Sequence, residues 1–318
     1  MSKPPAFSVE PQGKAAGPVY RFAFGAMASV FEVIIAGQEQ RYARQAAEAA
    51  SDEVERLERE LSRFNPSSDT SQIGGLKPGE YARVGVATME CLTAAARVHA
   101  ETGGAFDVTV GALAACFRGP DGKPREPPAD ELAAARRVTG MHLLDIRPDK
   151  HTVAVKVQGV KVDLGGIGKG YAVDQGIALL REWSIEAAVV SGGTSSVMAI
   201  GAPPGQEGWR VALRDPEQPE NSLGTLLLKG CSLSGSAAPP GRPHILDPRT
   251  GRPATGPAAT WAAADAAALT DCLSTAFMVL SPAEVGEYCA RHPAVSGMLL
   301  VKDSSGRKVL RYGKWDES

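Results

Sequence analysis

A carboxylate and a hydroxyl, Asp271 and Thr275, stand four residues apart in the segment Leu269–Phe277. A helix turns by about 100° per residue, so these two side chains would share one face, opposite a face that carries Leu273 and Phe277. Such oxygen ligands suit a hard cation such as Mg²⁺, which completes its coordination with water and phosphate oxygens. Two other interpretations stay open, a solvent-facing polar helix side and a threonine that hydrogen-bonds back to its own helix.

Glycine dominates a second segment, Val162–Asp174, whose sequence is VDLGGIGKGYAVD. We expect a strand that runs into this loop and a helix that follows it. Glycines let the backbone approach a ligand closely, and the N-terminus of a helix offers free N–H groups and a positive dipole to a phosphate. Lys169 adds a cation at that point. A structural turn that happens to need glycine is the alternative interpretation, since the segment is neither a Walker A loop nor a dinucleotide fingerprint.

A histidine precedes a turn in a third segment, Pro243–Pro253, whose sequence is PHILDPRTGRP. Pro248 fixes one backbone angle and Gly251 is free to take a positive φ, which is typical of a turn. His244 would serve either as a general base or as a buried core histidine.

The elements that must position these segments form a mixed pattern. We predict strands at 28–36, 153–162, 186–190 and 209–213, the second of them turned by Gly159, and helices at about 47–61, 88–99, 171–183 and 266–280. Proline and glycine mark an exposed loop at 119–130. No strict βαβ repeat is present, so the pattern favours an α+β fold over a doubly wound parallel sheet.

Composition limits the possible partners and compartments. Lys and Arg number 34 against 36 Asp and Glu, so we expect no nucleic-acid partner. The five cysteines are far apart and fit buried hydrophobic positions. Neither a signal peptide nor a membrane span is predicted, so we expect a cytoplasmic protein. Residues 1–19 are predicted to be a loose leader before a single domain at 20–318.

Two further segments complete a recognisable order of motifs: LSRFNPSSD at 61–69 and TGGAFDVTVG at 102–111. With the three segments above, the chain resembles the FAD:protein FMN transferase (ApbE) family over about residues 22–285. The resemblance implies a two-lobed α+β fold with FAD in a central cleft. It also implies Mg²⁺-dependent cleavage of FAD and transfer of FMN to a Ser or Thr hydroxyl of an acceptor protein, with release of AMP.

The resemblance assigns roles to individual residues. Those implied to bind FAD are Met27 and Phe64 near the flavin, Ala105, Phe106 and Asp107 at the adenosine or ribose end, and Asp163 and Lys169 in the same pocket. The implied metal ligands are the carbonyl of Gly166 together with Asp271 and Thr275, with Ser274 beside them. His244 matches the histidine that is proposed in the family as the base for the accepting hydroxyl.

The chain also departs from the family pattern at three places. Ser191–Ser196 carries Thr194 where the family usually has aspartate after a Gly-Gly pair. The segment between Gly235 and His244 is shorter than usual, and Trp261–Asp265 is rich in alanine. Two alternative functions therefore stay open, a metal-dependent FAD pyrophosphatase that uses water as acceptor and a flavin-binding protein that has lost transfer.

Overall fold

A central antiparallel sheet of eight strands organises the molecule. The computed structural model describes residues 7–9, 16–119, 121–237, 245–303 and 306–315. The strands of this sheet are β2 (Val19–Ala26), β3 (Ser29–Ala36), β7 (Ala188–Gly192), β8 (Ser196–Ile200), β11 (Cys231–Ala237), β14 (Ala259–Ala264), β15 (Ser296–Asp303) and β16 (Gly306–Tyr312). Their order is β16-β15-β14-β11-β8-β7-β3-β2, and every neighbouring pair is antiparallel.

Helices cover one face of this sheet. The eight α-helices that the described residues form are α1 (Gln40–Leu61), α2 (Asp69–Gly75), α3 (Val86–Glu101), α4 (Gly111–Cys116), α5 (Ala129–Arg137), α6 (Gly168–Glu182), α7 (Ala267–Phe277) and α8 (Pro282–Arg291). Buried side chains of α1, α3, α6 and α7 share one core with Phe31, Val33 and Ile35 of β3. An antiparallel sheet with helices packed on it confirms the predicted α+β fold.

A second, smaller sheet covers the opposite face. It consists of β1 (Phe7–Val9), β9 (Trp209–Asp215) and β10 (Gln218–Leu228), in the order β1-β9-β10. Trp209 and Val211 pack there against Ile34 of β3. Because β3 is buried on both faces, its apolar side chains form an uninterrupted run rather than an alternation. β1 lies inside the segment for which we predict a loose leader.

Two small sheets complete the fold. One contains β4 (Tyr81–Arg83), β5 (Leu144–Arg147) and β6 (Thr152–Val155), and the other contains β12 (Leu246–Asp247) and β13 (Arg252–Pro253). The predicted turn at 247–251 joins β12 to β13, and Gly251 has the expected positive φ of 73°. The turn predicted at Gly159 is present, with a φ of 96°, but the strand predicted at 153–162 ends at Val155, and no strand follows the turn into the glycine loop.

Other predicted elements agree with the structure within a few residues, but several elements were not predicted, among them the strands β2, β8, β10, β11, β14, β15 and β16 and the helices α2, α4, α5 and α8. α1 begins at Gln40, seven residues before the predicted helix at 47–61. β2 was missed because only one of its side chains is fully buried, which leaves a weak apolar signal. None of the helices formed by the described residues combines the length and the apolar character that crossing a bilayer requires.

Candidate active site

Asp271 and Thr275 lie on α7 where it packs against β11 and α6. Asp271 is buried, with 3% of its surface exposed, so the solvent-facing interpretation of this helix side does not hold. The Thr275 hydroxyl donates a hydrogen bond to the carbonyl oxygen of Asp271 at 3.2 Å. Bonding back to its own helix is therefore present, and it leaves the lone pairs of the threonine oxygen for a further partner.

The glycine loop brings Gly166 next to Thr275. A Cβ atom placed on Gly166 would lie 3.4 Å from the Thr275 hydroxyl oxygen and 3.0 Å from Cε2 of Phe106. Asp163 closes the loop from below, because its Oδ1 accepts the N–H of Gly165 at 2.9 Å. The loop thus brings together Phe106, Gly166 and Thr275, which are distant in sequence. A side chain at position 166 would crowd the other two residues.

The N-terminus of α6 faces Asp271. One carboxylate oxygen, Oδ2, accepts the N–H of Gly170 in the first turn of α6 at 3.0 Å. We predict that the loop offers such N–H groups to a phosphate, but the N–H of Gly170 binds a side chain of α7 instead. The positive end of the α6 dipole favours the negative charge of Asp271 at this place.

Ser274 belongs to a buried cluster of hydroxyl groups. It is fully buried, its hydroxyl donates to the carbonyl oxygen of Asp271 at 3.0 Å, and its Oγ lies 3.0 Å from Oγ of Ser236. The Thr260 hydroxyl donates to the carbonyl oxygen of Ser274 at 2.5 Å. The Ser274 hydroxyl therefore has protein partners beside the predicted metal ligands.

The same cluster extends along β11, and sequence reasoning did not find it. Ser234 Oγ lies 2.8 Å from Thr270 Oγ1, and Ser232 Oγ lies 3.3 Å from the same atom. The signal was in the sequence, because serines at 232, 234 and 236 have strand spacing and face hydroxyls at helix spacing, 270 and 274. The sequence did not indicate that β11 packs against α7.

A charged and aromatic group lies at the mouth of the glycine loop. The ammonium group of Lys169 donates to the carbonyl oxygen of Gly165 at 3.3 Å. Arg63 pairs with Asp163, with 3.4 Å between Nε and Oδ2, and its guanidinium stands 4.5 Å from the ring centroid of Phe64. Phe64 is 78% exposed, which is unusual for so large an apolar side chain. These residues form an accessible rim with a flat apolar surface.

The segment 105–107 is held by its own hydrogen bonds. Ala105 and Phe106 are buried. Asp107 Oδ1 accepts the N–H of Thr109 at 2.7 Å and its hydroxyl at 2.5 Å, and Oδ2 accepts the N–H of Met141 at 3.0 Å. Both oxygens of Asp107 thus have protein donors, so the carboxylate orders the loop that presents Phe106 to Gly166.

Met27 lies at the tip of the β2–β3 hairpin. Met27 and Ala28 have φ values of 50° and 53°, a left-handed conformation that costs free energy for residues other than glycine, asparagine and aspartate. Strain of this kind often accompanies ligand sites. The turn after β7 lies beside this hairpin, because Gly193 donates its N–H to the carbonyl oxygen of Val30 at 2.9 Å.

His244, which we predict as a base or a core residue, lies outside the described residues. Within the described part of the chain, no three His, Cys, Asp or Glu side chains cluster in a way that would hold a metal ion. A metal at Asp271 would therefore depend on hydroxyl, carbonyl and substrate oxygens. A cavity of about 1580 Å³ lies elsewhere, over the β4–β6–β5 sheet, and none of the predicted site residues lines it.

Comparisons with known proteins point to one family. A model of the ApbE family matches residues 27–299. The FAD:protein FMN transferase of Klebsiella pneumoniae (strain 342) is 30% identical over 263 residues, which span 78% of this chain and 72% of that protein. The enzyme of the same name from Salmonella typhimurium is 31% identical over 241 residues, spanning 71% of this chain and 68% of that protein.

Solved structures with a similar fold include two flavin transferases. The apo form of Pseudomonas stutzeri flavinyl transferase ApbE superposes with a TM-score of 0.83 at 26% identity and covers 93% of this chain and 95% of its own. Flavin transferase ApbE from Vibrio cholerae gives a TM-score of 0.84 at 23% identity, with 93% and 97% covered. The second likeness supports the fold.

Proposed function

This chain belongs to the ApbE family, and from that premise we propose that it is a FAD:protein FMN transferase. The acceptor hydroxyl oxygen, from Ser or Thr of another protein, attacks the FMN phosphorus of FAD. The bond from that phosphorus to the oxygen of AMP breaks, AMP leaves, and the proton of the hydroxyl passes to a base. The observation that carries the proposal is the meeting of Gly166, Asp271 and Thr275 below a rim that contains Lys169 and Phe64.

The donor set at this point fits a hard divalent cation. Asp271 supplies a buried carboxylate, and its Oδ1 accepts no hydrogen bond from the described residues. Thr275 and the carbonyl of Gly166 would add neutral oxygens, a combination that Mg²⁺ accepts when water and phosphate complete its octahedron. When bound, Mg²⁺ would neutralise charge that builds on the phosphoryl oxygens.

The chain's own residues would bind and orient FAD. Phe64 offers an exposed ring for the flavin. Met27 lies at the strained tip of the β2–β3 hairpin, and we assign it to the flavin end of FAD as well. Lys169 would turn from the Gly165 carbonyl to the pyrophosphate, where a cation stabilises the transition state. Asp163 would act by ordering the loop and by holding Arg63.

The adenosine end of FAD is assigned to the segment 105–107. Ala105 and Phe106 would contribute packing surface, and Asp107 would act through the loop that it orders. Ser274 would support the metal ligands from its hydroxyl cluster. We propose residues 20–318 as one transferase domain, supported by the single sheet that extends from β2 to β16.

His244 is proposed as the base for the accepting hydroxyl. Neutral histidine suits this task near pH 7, and one general base is typically worth about 10²- to 10⁴-fold in rate. His244→Ala should therefore keep FAD binding and lose transfer. A variant that melts early yet transfers FMN at the wild-type rate in the cold would instead make this residue a packing residue.

One incubation tests the function and its alternatives. The protein is mixed with FAD, Mg²⁺ and a flavin-acceptor domain, and both in-gel flavin fluorescence and released AMP are measured. The controls are EDTA, an acceptor with its target hydroxyl residue changed to alanine, and Asp271→Asn. Transfer requires equal amounts of AMP and protein-bound flavin. AMP without bound flavin would identify a pyrophosphatase, and bound FAD without AMP would identify a flavin-binding protein.

The compartment is also a proposal. All five cysteines are free thiols, and four of them are buried. Free thiols fit the reducing cytoplasm, where structural disulfides are rare. Cell fractionation with an antibody to this chain tests the location, and recovery with exported proteins would overturn it.

A further inference from the structure

α6 and α7 cap each other's N-termini with carboxylates. Neither helix has a side-chain cap of its own, since the N-cap residues Ile167 and Ala266 make no capping hydrogen bond. Asp271 of α7 accepts the N–H of Gly170 in the first turn of α6, as described above. In return, a carboxylate of α6 meets the first turn of α7.

That carboxylate belongs to Asp174. One of its oxygens accepts the N–H of Ala267 at 2.7 Å and the other accepts the N–H of Ala268 at 2.8 Å. These are the first two residues of α7, and they precede Asp271 by four and three positions. Asp174 thus fixes the turn of α7 from which Asp271 projects.

The contact between the two helices leaves little space for adjustment. A Cβ atom on Gly170 would lie 2.1 Å from the carbonyl oxygen of Ala267 and 2.8 Å from Cβ of Asp271. The backbone of α6 therefore touches the start of α7 directly. With both caps in place, the rotation and the height of α7 relative to the glycine loop are set, and with them the direction of the Asp271 carboxylate.

We propose that Asp174 is a positioning residue for the divalent cation site. It does not touch the cation; it holds α7 so that Asp271 and Thr275 face Gly166. This inference rests on the proposed function, because it assumes a cation at Asp271. Residues that orient metal ligands through hydrogen bonds typically change metal affinity by about 10- to 100-fold when they are removed.

The test measures binding of Mn²⁺, as a spectroscopic substitute for Mg²⁺, by electron paramagnetic resonance with FAD present and the acceptor protein omitted. The variants are Asp174→Ala, which removes both hydrogen bonds that Asp174 accepts from α7, and Asp174→Asn, which keeps one oxygen acceptor. Asp265→Asn is the matched control. It removes a nearby negative charge from an exposed residue two positions before α7.

We expect Asp174→Ala to bind Mn²⁺ about 10- to 100-fold more weakly than wild type, Asp174→Asn to lie between them, and Asp265→Asn to match wild type. FAD affinity without metal should stay unchanged in all three. Titrations are made below the melting temperature of each variant, so that a loss of stability alone leaves the affinity unchanged. If alanine unfolds the protein, the asparagine variant decides.

Two outcomes would overturn the inference, and they differ in what they mean for function. If wild type binds Mn²⁺ and Asp271→Asn does not, but both Asp174 variants bind like wild type, then Asp174 is only a structural cap. If wild type binds Mn²⁺ no better than Asp271→Asn, the cation site itself is wrong and the proposed metal-dependent function fails with it.

Discussion

Gly170 and Asp271 are joined by a hydrogen bond of 3.0 Å between the backbone nitrogen of one and Oδ2 of the other, although 101 positions separate them in the chain. This bond connects the two motifs with the strongest chemical signal, the glycine loop and the polar side of α7. The close approach of the two helices also explains why position 170 is glycine, because a side chain there would collide with α7.

Gly170→Ala should therefore destabilise the protein despite the better helix propensity of alanine. Its Cβ would lie 2.1 Å from the Ala267 carbonyl oxygen, so α6 and α7 must separate. Such overpacking costs about 1–3 kcal/mol. Gly168→Ala is the matched control, since its Cβ would find only Leu61 Cδ1 at 4.0 Å. Urea unfolding of both variants measures the difference, and equal stability would contradict this account of the interface.

Thr275 allows the metal assignment to be tested at a neutral ligand. Thr275→Val keeps the shape of the side chain and removes its oxygen, whereas Thr275→Ser keeps the oxygen. We expect valine to raise the Mg²⁺ concentration for half-maximal FMN transfer by about 10-fold and serine to change it little. The same Mg²⁺ requirement in both variants would remove Thr275 from the ligand set.

Lys169 should contribute to FAD binding through its charge. Lys169→Ala removes a cation at the mouth of the glycine loop, and a charge-assisted hydrogen bond of this kind is worth about 1.5–3 kcal/mol. We expect FAD affinity, followed by flavin fluorescence, to fall by about 10-fold or more. Lys156 lines the separate cavity over the β4–β6–β5 sheet, so Lys156→Ala removes the same charge away from the predicted site residues and should have no effect. If the two variants have the same FAD affinity, Lys169 does not bind FAD and the glycine loop has a structural role.

Stability should depend on pH through Asp174. Burial is the main reason that the pKa of Asp174 is raised to about 6, and the nearby Asp265 and Asp271 raise it further against its hydrogen bonds from α7. Because its folded-state pKa is higher than that of the unfolded chain, near 3.8, the native state holds the proton more tightly. The stabilisation is complete below about pH 3.8 and is lost as pH rises through about 6.

The measurement is the free energy of unfolding of wild type and Asp174→Asn between pH 4 and pH 7.5. As pH rises over this range, the free energy of unfolding of wild type should fall by up to about 3 kcal/mol more than that of the variant, because asparagine has no proton to release. The subtraction removes the contribution of the other carboxylates. Parallel curves for the two proteins would show that Asp174 titrates at its ordinary pKa.

Local patterns in the sequence were sufficient for several elements and for the family. The apolar run at 30–35 predicted β3, and the spacing of Asp271 and Thr275 predicted that they share a face of α7. Each of these follows from interactions within a few residues, where the period of the chain decides which side chains point together. The ordered motifs then identified the family.

Only the tertiary structure decided how those elements meet. It buried Asp271, gave both oxygens of Asp107 to backbone and hydroxyl donors, and paired the serines of β11 with Thr270 and Ser274. It also made Asp174 the cap of a helix more than 90 residues away. Periodicity specifies which face of an element is apolar or polar, but it carries no record of the partner element, because that choice depends on packing the whole core at once.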